Sequence, residues 1–356
     1  MTTRYRVIQW STGQLGQHAL KGILGHPSLD LVGLWVHSKS NENRDAGEFI
    51  GQPPTGIVST RDVEKLLSLN ADCVCYMATD SNREEEVVDD FCRILRSGTN
   101  VSSPSLIPLI YPPMVPEWMS RLEAACQEGG STLHVSGVNP GLTLDALPLL
   151  LSTGCERIDS IVLQSIFDLS TDYAEPVVTS ALGQGKTPQE LDRDTSSLAI
   201  IKKFWAPLLL LVAHELGVEF DGEPLPSRKY YFTDKPIETV SGRIEAGTAS
   251  AAHYTLAGAV GGNPFVTFEE YIRFGPGDDF LPQDWPEGHG HRVILKGIPD
   301  IRMNVIFGNE NGSTPLRDAL ISAAMRPVNL IPAICDAPPG VHLASALGFA
   351  VGGLKQ

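Results

Sequence analysis

Apolar positions in the first half of the chain alternate between short continuous runs and wider patterns at helical spacing. Strand candidates are 5–10, 31–36, 72–77, 99–103 and 132–136, several of them near-continuous apolar runs, and patterns at 14–25, 61–68, 83–97, 115–128 and 142–152 predict helices. Strict βα alternation implies a parallel sheet covered on both faces, and near-continuous apolar strands suit that burial. Helix 83–97 opens on Glu84, Glu85 and Glu86 and closes on Arg93 and Arg96 before Gly98, in agreement with the helix dipole and a glycine cap. Beyond about 155 the rhythm changes. Arg157–Phe167, Thr239–Ala249, Ala252–Leu256, Val266–Phe274 and Arg292–Phe307 read as strands, 176–217 is mostly helical, and prolines 224, 226, 282 and 286 mark loops. The fold class is therefore α/β, a Rossmann-type parallel sheet followed by a second α+β domain on an open mixed sheet. The first domain is expected at 1–150 and the second at 151–314.

The first strand runs into Ser11-Thr12-Gly13-Gln14-Leu15-Gly16 and then a helix. Ser11 stands where a dinucleotide fingerprint has its first glycine, and Gly13 and Gly16 fill the other two positions. Such a turn brings bare amides and a helix N-terminus to a pyrophosphate, although the same pattern serves an ordinary βα turn. An acid that would take the ribose hydroxyls is absent after the second strand, which continues His37-Ser38-Lys39-Ser40 with Arg44 nearby. Hydroxyls and cations suit a 2′-phosphate that a carboxylate would repel, so NADP is favoured over NAD. The bland alternative is that Lys39 and Arg44 only solvate a loop. Ala78 and Thr79 follow the third strand and complete the cofactor edge. At Val135–Asp145 a buried strand meets Asn139-Pro140-Gly141. Asn139 could hydrogen-bond a nicotinamide carboxamide as donor and acceptor, or the segment could be a turn and helix cap alone.

The chain has 356 residues, 42% hydrophobic and 19% charged, with a formal net charge of −15. That balance argues against nucleic acid and anionic membranes as partners, while allowing a local basic pocket. The N-terminus leads directly into a strand, which predicts no signal peptide and a cytoplasmic location. The most apolar stretch, Trp205–Ala213, is too short to cross a bilayer. Cysteines at 73, 75, 92, 126, 155 and 335 include no C-x-x-C pair; Cys73 and Cys75 should share one strand face as reduced core thiols. His289 and His291 lack acidic or cysteine partners at ligand spacing, so no metal site is expected.

These motifs, with the tail Arg326–Ala333 and Ala337–Gly340, resemble the dihydrodipicolinate-reductase-like oxidoreductases, most closely the 2,4-diaminopentanoate dehydrogenase and native amine dehydrogenase branch. The resemblance covers nearly the whole chain. It implies a Rossmann domain, an NAD(P) cofactor, homodimers, and a C-terminal segment near 315–356 that packs back on the first domain. True dihydrodipicolinate reductases carry a His-His motif, a lysine and a Gly-Thr anion clamp that are not found here. Amine dehydrogenases of the branch carry a glutamate after the strand at 99–103. Here the segment keeps Asn100-Val101 and Tyr111-Pro112 but has Pro104, Ser105, Leu106, Ile107 and Pro108 between them. The loss of that acid predicts an apolar wall and poor use of free ammonia.

The chemistry expected is hydride transfer between a nicotinamide and a small apolar carbonyl, imine or amine, with Tyr111, Tyr173 and His253 as possible proton donors. The alternative is a non-catalytic NADP-binding sensor or scaffold of the same fold. A small-molecule substrate and a homodimer through the second sheet are the expected partners; the sheet could instead be covered by helices 176–217 alone.

Overall fold

The computed structural model describes residues 4–170, 176–277, 279–308, 314–348 and 351–352. The elements run β1 (Tyr5–Trp10), α1 (Gln14–Gly25), β2 (Leu29–Trp35), α2 (Val63–Leu67), β3 (Cys73–Tyr76), α3 (Glu84–Arg96), β4 (Asn100–Ser103), α4 (Pro116–Gly129), β5 (Thr132–Val135) and α5 (Ala146–Ser152). They continue as β6 (Arg157–Asp168), α6 (Pro176–Ala181), α7 (Pro188–Arg193), α8 (Ser196–Glu215), β7 (Leu225–Phe232), β8 (Ile237–Thr239), β9 (Gly242–Ile244), β10 (Ala249–Val260) and β11 (Asn263–Arg273). β12 (Gly290–Ile298), β13 (Ile301–Ile306), α9 (Pro315–Cys335) and β14 (Gly340–Val341) complete the chain. Two compact units result, one of Met1–Leu142 with Leu320–Gln356, the other of Thr143–Ala319.

The first unit is built on a six-stranded sheet in the order β14-β5-β4-β3-β1-β2, parallel throughout. β1, β3 and β5 are buried on both faces wherever they pass through the middle; β1 and β3 accordingly lack alternation, whereas β5, Thr132–Val135, alternates and buries its polar Thr132 and His134. Cys73 and Cys75 share a face, packed in a cluster with Val7, Ala19, Ile23 and Val328, and burial pushes both thiols upward in pKa. The C-terminal part of α9 belongs to this unit, where Ser102 Oγ donates to the Pro327 carbonyl at 2.7 Å.

The second unit holds a mixed sheet in the order β13-β12-β6-β11-β10-β7. Only β6 and β11 pair in parallel; the other neighbours are antiparallel. One face carries Leu163, Phe268, Tyr254, Leu256 and Val293 against α8, whose Leu208, Leu209 and Val212 are fully buried. The other face carries Thr255, Glu269, Gln164 and Arg292 in one register row and has no helix layer of its own among the described residues. α8 is twenty residues long with mean hydropathy 1.6, long and apolar enough to cross a membrane by composition alone, and half of its apolar window is buried in this core. Trp205–Ala213, too short on its own to cross a bilayer, is the middle of this longer helix.

Several boundaries differ from the sequence reading. Thr239–Ala249 is no continuous strand: it holds the end of β8, all of β9 and a turn before β10. Arg292–Phe307 is a hairpin of β12 and β13, turning at Pro299-Asp300. The segment expected to be a proline-marked loop is β7, which contains Pro226. It pairs only with β10 at the sheet edge, where a strand tolerates the missing N–H.

Candidate functional site

Ligands of parallel sheets bind beyond the carboxyl ends of the strands, so the exits of β1 to β5 define the first place to look. After β1, Ser11 takes φ +82, a left-handed value uncommon outside glycine. Its amide donates to the Trp35 carbonyl at 2.9 Å, and the buried Gln9 donates through Nε2 to the Ser11 carbonyl at 3.0 Å. This brace lets serine occupy the first-glycine position. Gly16 is required, because a Cβ there would collide with the Ser11 carbonyl. α1 begins behind Gly13, which offers no side-chain cap. The first bond of helical type is donated by Gln17 to the Gly13 carbonyl, so the amides of Gln14, Leu15 and Gly16 precede the helical ladder. Thr12 accepts from Gln17 Nε2 at 3.2 Å through its carbonyl. An open helix N-terminus of this kind attracts an anion.

The exit of β2 leads into a 3₁₀ turn at Lys39–Asn41. His37, Lys39 and Ser40 are exposed, Ser38 is half-buried, and the Ser38 and Ser40 hydroxyls lie 3.1 Å apart. Arg44 is engaged instead within its own loop: it reaches Glu48 at 3.2 Å and Asn41 at 3.3 Å, with its guanidinium over the Phe49 ring. Beneath these exits the rings of Trp10, Trp35 and Tyr76 stack, with Trp10 and Trp35 4.9 Å apart.

β3 and β4 leave the sheet side by side and are latched to each other. Ser103 Oγ donates to the Tyr76 carbonyl at 2.9 Å and Ser105 Oγ to the Ala78 carbonyl at 2.6 Å. The Leu106 amide donates to Asp80 Oδ2 at 2.8 Å. Ala78 is buried and Thr79 exposed. Leu106 is itself left-handed, with φ +63, and is fully buried. A glutamate in its place would lie beside Asp80. Sequence reasoning missed Asp80 and these serine latches. Their partners lie more than twenty positions away and meet only because β3 and β4 pair.

At the exit of β5, Gly137 N donates to the Pro140 carbonyl at 3.0 Å and Ser136 Oγ to the Gly141 carbonyl at 3.1 Å, so Asn139 and Pro140 form the tip of a closed loop. Gly141 has φ +129, and a Cβ there would strike the Gly137 amide. Arg326 Nε also donates to the Gly141 carbonyl, at 3.3 Å. Asn139 is half-buried.

Two of the three residues named as proton donors, Tyr111 and His253, are among the described residues. Tyr111 is half-buried, just past the β4 exit in the first unit. His253 lies in the second unit on β10, stacked on Tyr271 at 4.1 Å, and burial lowers its pKa. Tyr173 lies outside the described residues. His291 bonds Thr143 Oγ1 at 2.7 Å and sits edge-on to Phe167 and Phe307, with burial lowering its pKa to about 4. His289 borders a cavity of about 500 Å³ within the second unit, beside the Asp168–Arg273 ion pair and Trp285.

A family profile for the 2,4-diaminopentanoate dehydrogenase C-terminal domain matches residues 142–351. An amine dehydrogenase from Streptomyces virginiae is 33% identical over 343 residues, covering 94% of either chain. The chain belongs to the 2,4-diaminopentanoate dehydrogenase family. A 2,4-diaminopentanoate dehydrogenase from Acetoanaerobium sticklandii is 25% identical over 282 residues, covering 79% of this chain and 75% of that protein. Among solved structures, an amine dehydrogenase from Mycobacterium smegmatis shares the fold with a TM-score of 0.73 at 20% identity, covering 96% of this chain and 95% of that one. As a member of the 2,4-diaminopentanoate dehydrogenase family the protein is an NAD(P)-dependent oxidoreductase, and its resemblance to the amine dehydrogenase branch, read from motifs alone, is confirmed.

Proposed function

We propose that this protein is an NADP-preferring oxidoreductase that moves hydride between the nicotinamide and a small apolar carbonyl, imine or amine. The observation that carries the cofactor half of this reading is the pairing of an open helix N-terminus with an exposed β2 exit that has no acid from His37 to Asn41. The dinucleotide fits the residues present: Gly16 keeps the space a Cβ would close, and the amides of Gln14, Leu15 and Gly16 would take the pyrophosphate. Lys39, Ser38 and Ser40 would take the 2′-phosphate. Arg44 supports them indirectly, since Glu48 and Asn41 already hold its guanidinium. Asn139, on a loop closed by its neighbours, would orient the nicotinamide carboxamide. The bound nicotinamide supplies or accepts the hydride. Tyr111 is the proton donor we take forward, because it shares a unit with the proposed cofactor edge, whereas His253 is held in an aromatic stack of the other unit.

The substrate half rests on the amine dehydrogenase relative and on the apolar character of the β4 exit, where Pro104, Ile107 and Pro108 are half-buried. We further read the protein as a cytoplasmic homodimer.

Titration with both cofactors tests the cofactor assignment. NADPH is expected to bind more tightly than NADH, and Lys39→Ala to weaken NADPH by about 1.5–3 kcal/mol while leaving NADH unchanged. Equal affinities in the unmodified protein would remove the basis for NADP.

A further inference from the structure

The loop after β4 carries no acid between Ser103 and Tyr111. An amine reaching this edge as an ammonium ion would need a counter-charge, because an unpaired cation loses its hydration without return. The fold brings one there from the neighbouring strand. Asp80 follows β3 more closely than any acid follows another strand of this sheet; the next is Glu42 in the loop after β2. The pairing of β3 with β4 places Asp80 against the β4 exit, and its Oδ2 accepts from the Leu106 amide at 2.8 Å.

Resting on the oxidoreductase reading above, we infer that Asp80 is the carboxylate that receives the cationic nitrogen of an amine substrate. Bracing a backbone amide needs an acceptor, not a charge. A serine or asparagine would serve, and this segment already uses serines for its two other latches. Asp80 commits one carboxylate oxygen to Leu106 and is half-buried, and none of the ion pairs among the described residues neutralises it. The bond to Leu106 fixes the carboxylate against a buried, left-handed residue, so its second oxygen has a defined position rather than a flexible one. A primary ammonium with a short apolar body matches that charge and the half-buried Pro104, Ile107 and Pro108. The absence of an acid within the β4 loop then no longer predicts poor handling of nitrogen.

The test uses the full chain loaded with NADP, and two probes, sec-butylammonium chloride and the neutral 2-butanone, measured by titration calorimetry or ligand-observed NMR. Asp80→Asn keeps an oxygen for the Leu106 amide and removes only the charge; Asp80→Ala removes both. Asp80→Asn should bind sec-butylammonium about tenfold to a hundredfold more weakly, the range expected for a charged hydrogen bond, and bind 2-butanone within about twofold of the unmodified protein. Asp80→Ala should lose the ammonium probe to the same degree and weaken 2-butanone as well, through the freed loop. Undiminished ammonium binding by Asp80→Asn overturns the inference, and so does an equal loss of both probes in that variant, which would make Asp80 a brace only. If the unmodified NADP-loaded protein binds neither probe, the substrate reading itself is wrong and the inference falls with it.

Discussion

Glu270 is a buried carboxyl whose titration should shape how stability depends on pH. It faces the α8 side of β11, and Trp205 Nε1 donates to its Oε2 at 3.3 Å. Burial lifts its pKa from 4.5 to about 7. A carboxyl raised in the folded state contributes stability that is complete below the unfolded value and is lost as the pH rises through the folded one. His134 and His291, both pushed down to about 4 by burial, act in the opposite sense as the pH falls from 6.5. The useful readout is therefore the difference between parent and Glu270→Gln at each pH. The variant should gain on the order of 2–3 kcal/mol relative to the parent between about pH 5 and pH 8, seen as diverging melting temperatures. A constant difference across that range would contradict the assignment. Glu270 was not legible in the sequence, because an acid in an alternating strand looks like a solvent-facing position until the register is known. The strand, glycine turn and helix around Ser11, Gly13 and Gly16 were legible, since that pattern lies within a few residues, whereas the Trp35 brace on Ser11 was not. Asp80 and Leu106 were not, because their bond depends on which strands pair.

The glycine turn is the element whose geometry is most demanding. Gly16→Ala places a methyl against the Ser11 carbonyl, which accepts from Gln9 Nε2 while the Ser11 amide donates to the Trp35 carbonyl. The turn cannot move without breaking both braces, so the variant should lose NADPH affinity by at least about tenfold while circular dichroism retains the helix content. Unchanged affinity would mean that the turn yields, or that the cofactor binds elsewhere. Elements of the parallel unit were readable because β1, β3 and the second half of β2 are largely apolar runs and the helices between the strands keep a helical period, which placed even the polar β4. The second unit was harder. β7 carries a proline that only an edge position tolerates, and β12 and β13 form one unbroken apolar pattern because their turn, at Pro299-Asp300, is so short. β14 has two residues, too few for any periodic signal.

At the scale of the whole molecule, the mixed sheet leaves one face with no helix layer of its own among the described residues. Its central row is polar: Gln164 Nε2 donates to Glu269 at 2.6 Å, Arg292 reaches Asn304 at 3.0 Å, and Thr255 lies 3.4 Å from His253. Exposed Leu225 and Ile306 occupy the two edge strands. A self-complementary contact of two such faces would cover both at once. Light scattering at micromolar concentration should give twice the 38.4 kDa chain mass, and a monomer mass would leave the polar row as a solvated surface. The central claim is chemical, and one measurement addresses it directly. NADPH carrying deuterium at both positions of the nicotinamide C4 is incubated with the protein and small apolar ketones, with and without ammonia, and the products are read by mass spectrometry. Transfer of one deuterium, as deuteride, to the former carbonyl carbon of an alcohol or amine is the expected result. Tight NADPH binding with no deuterium in any product would contradict it.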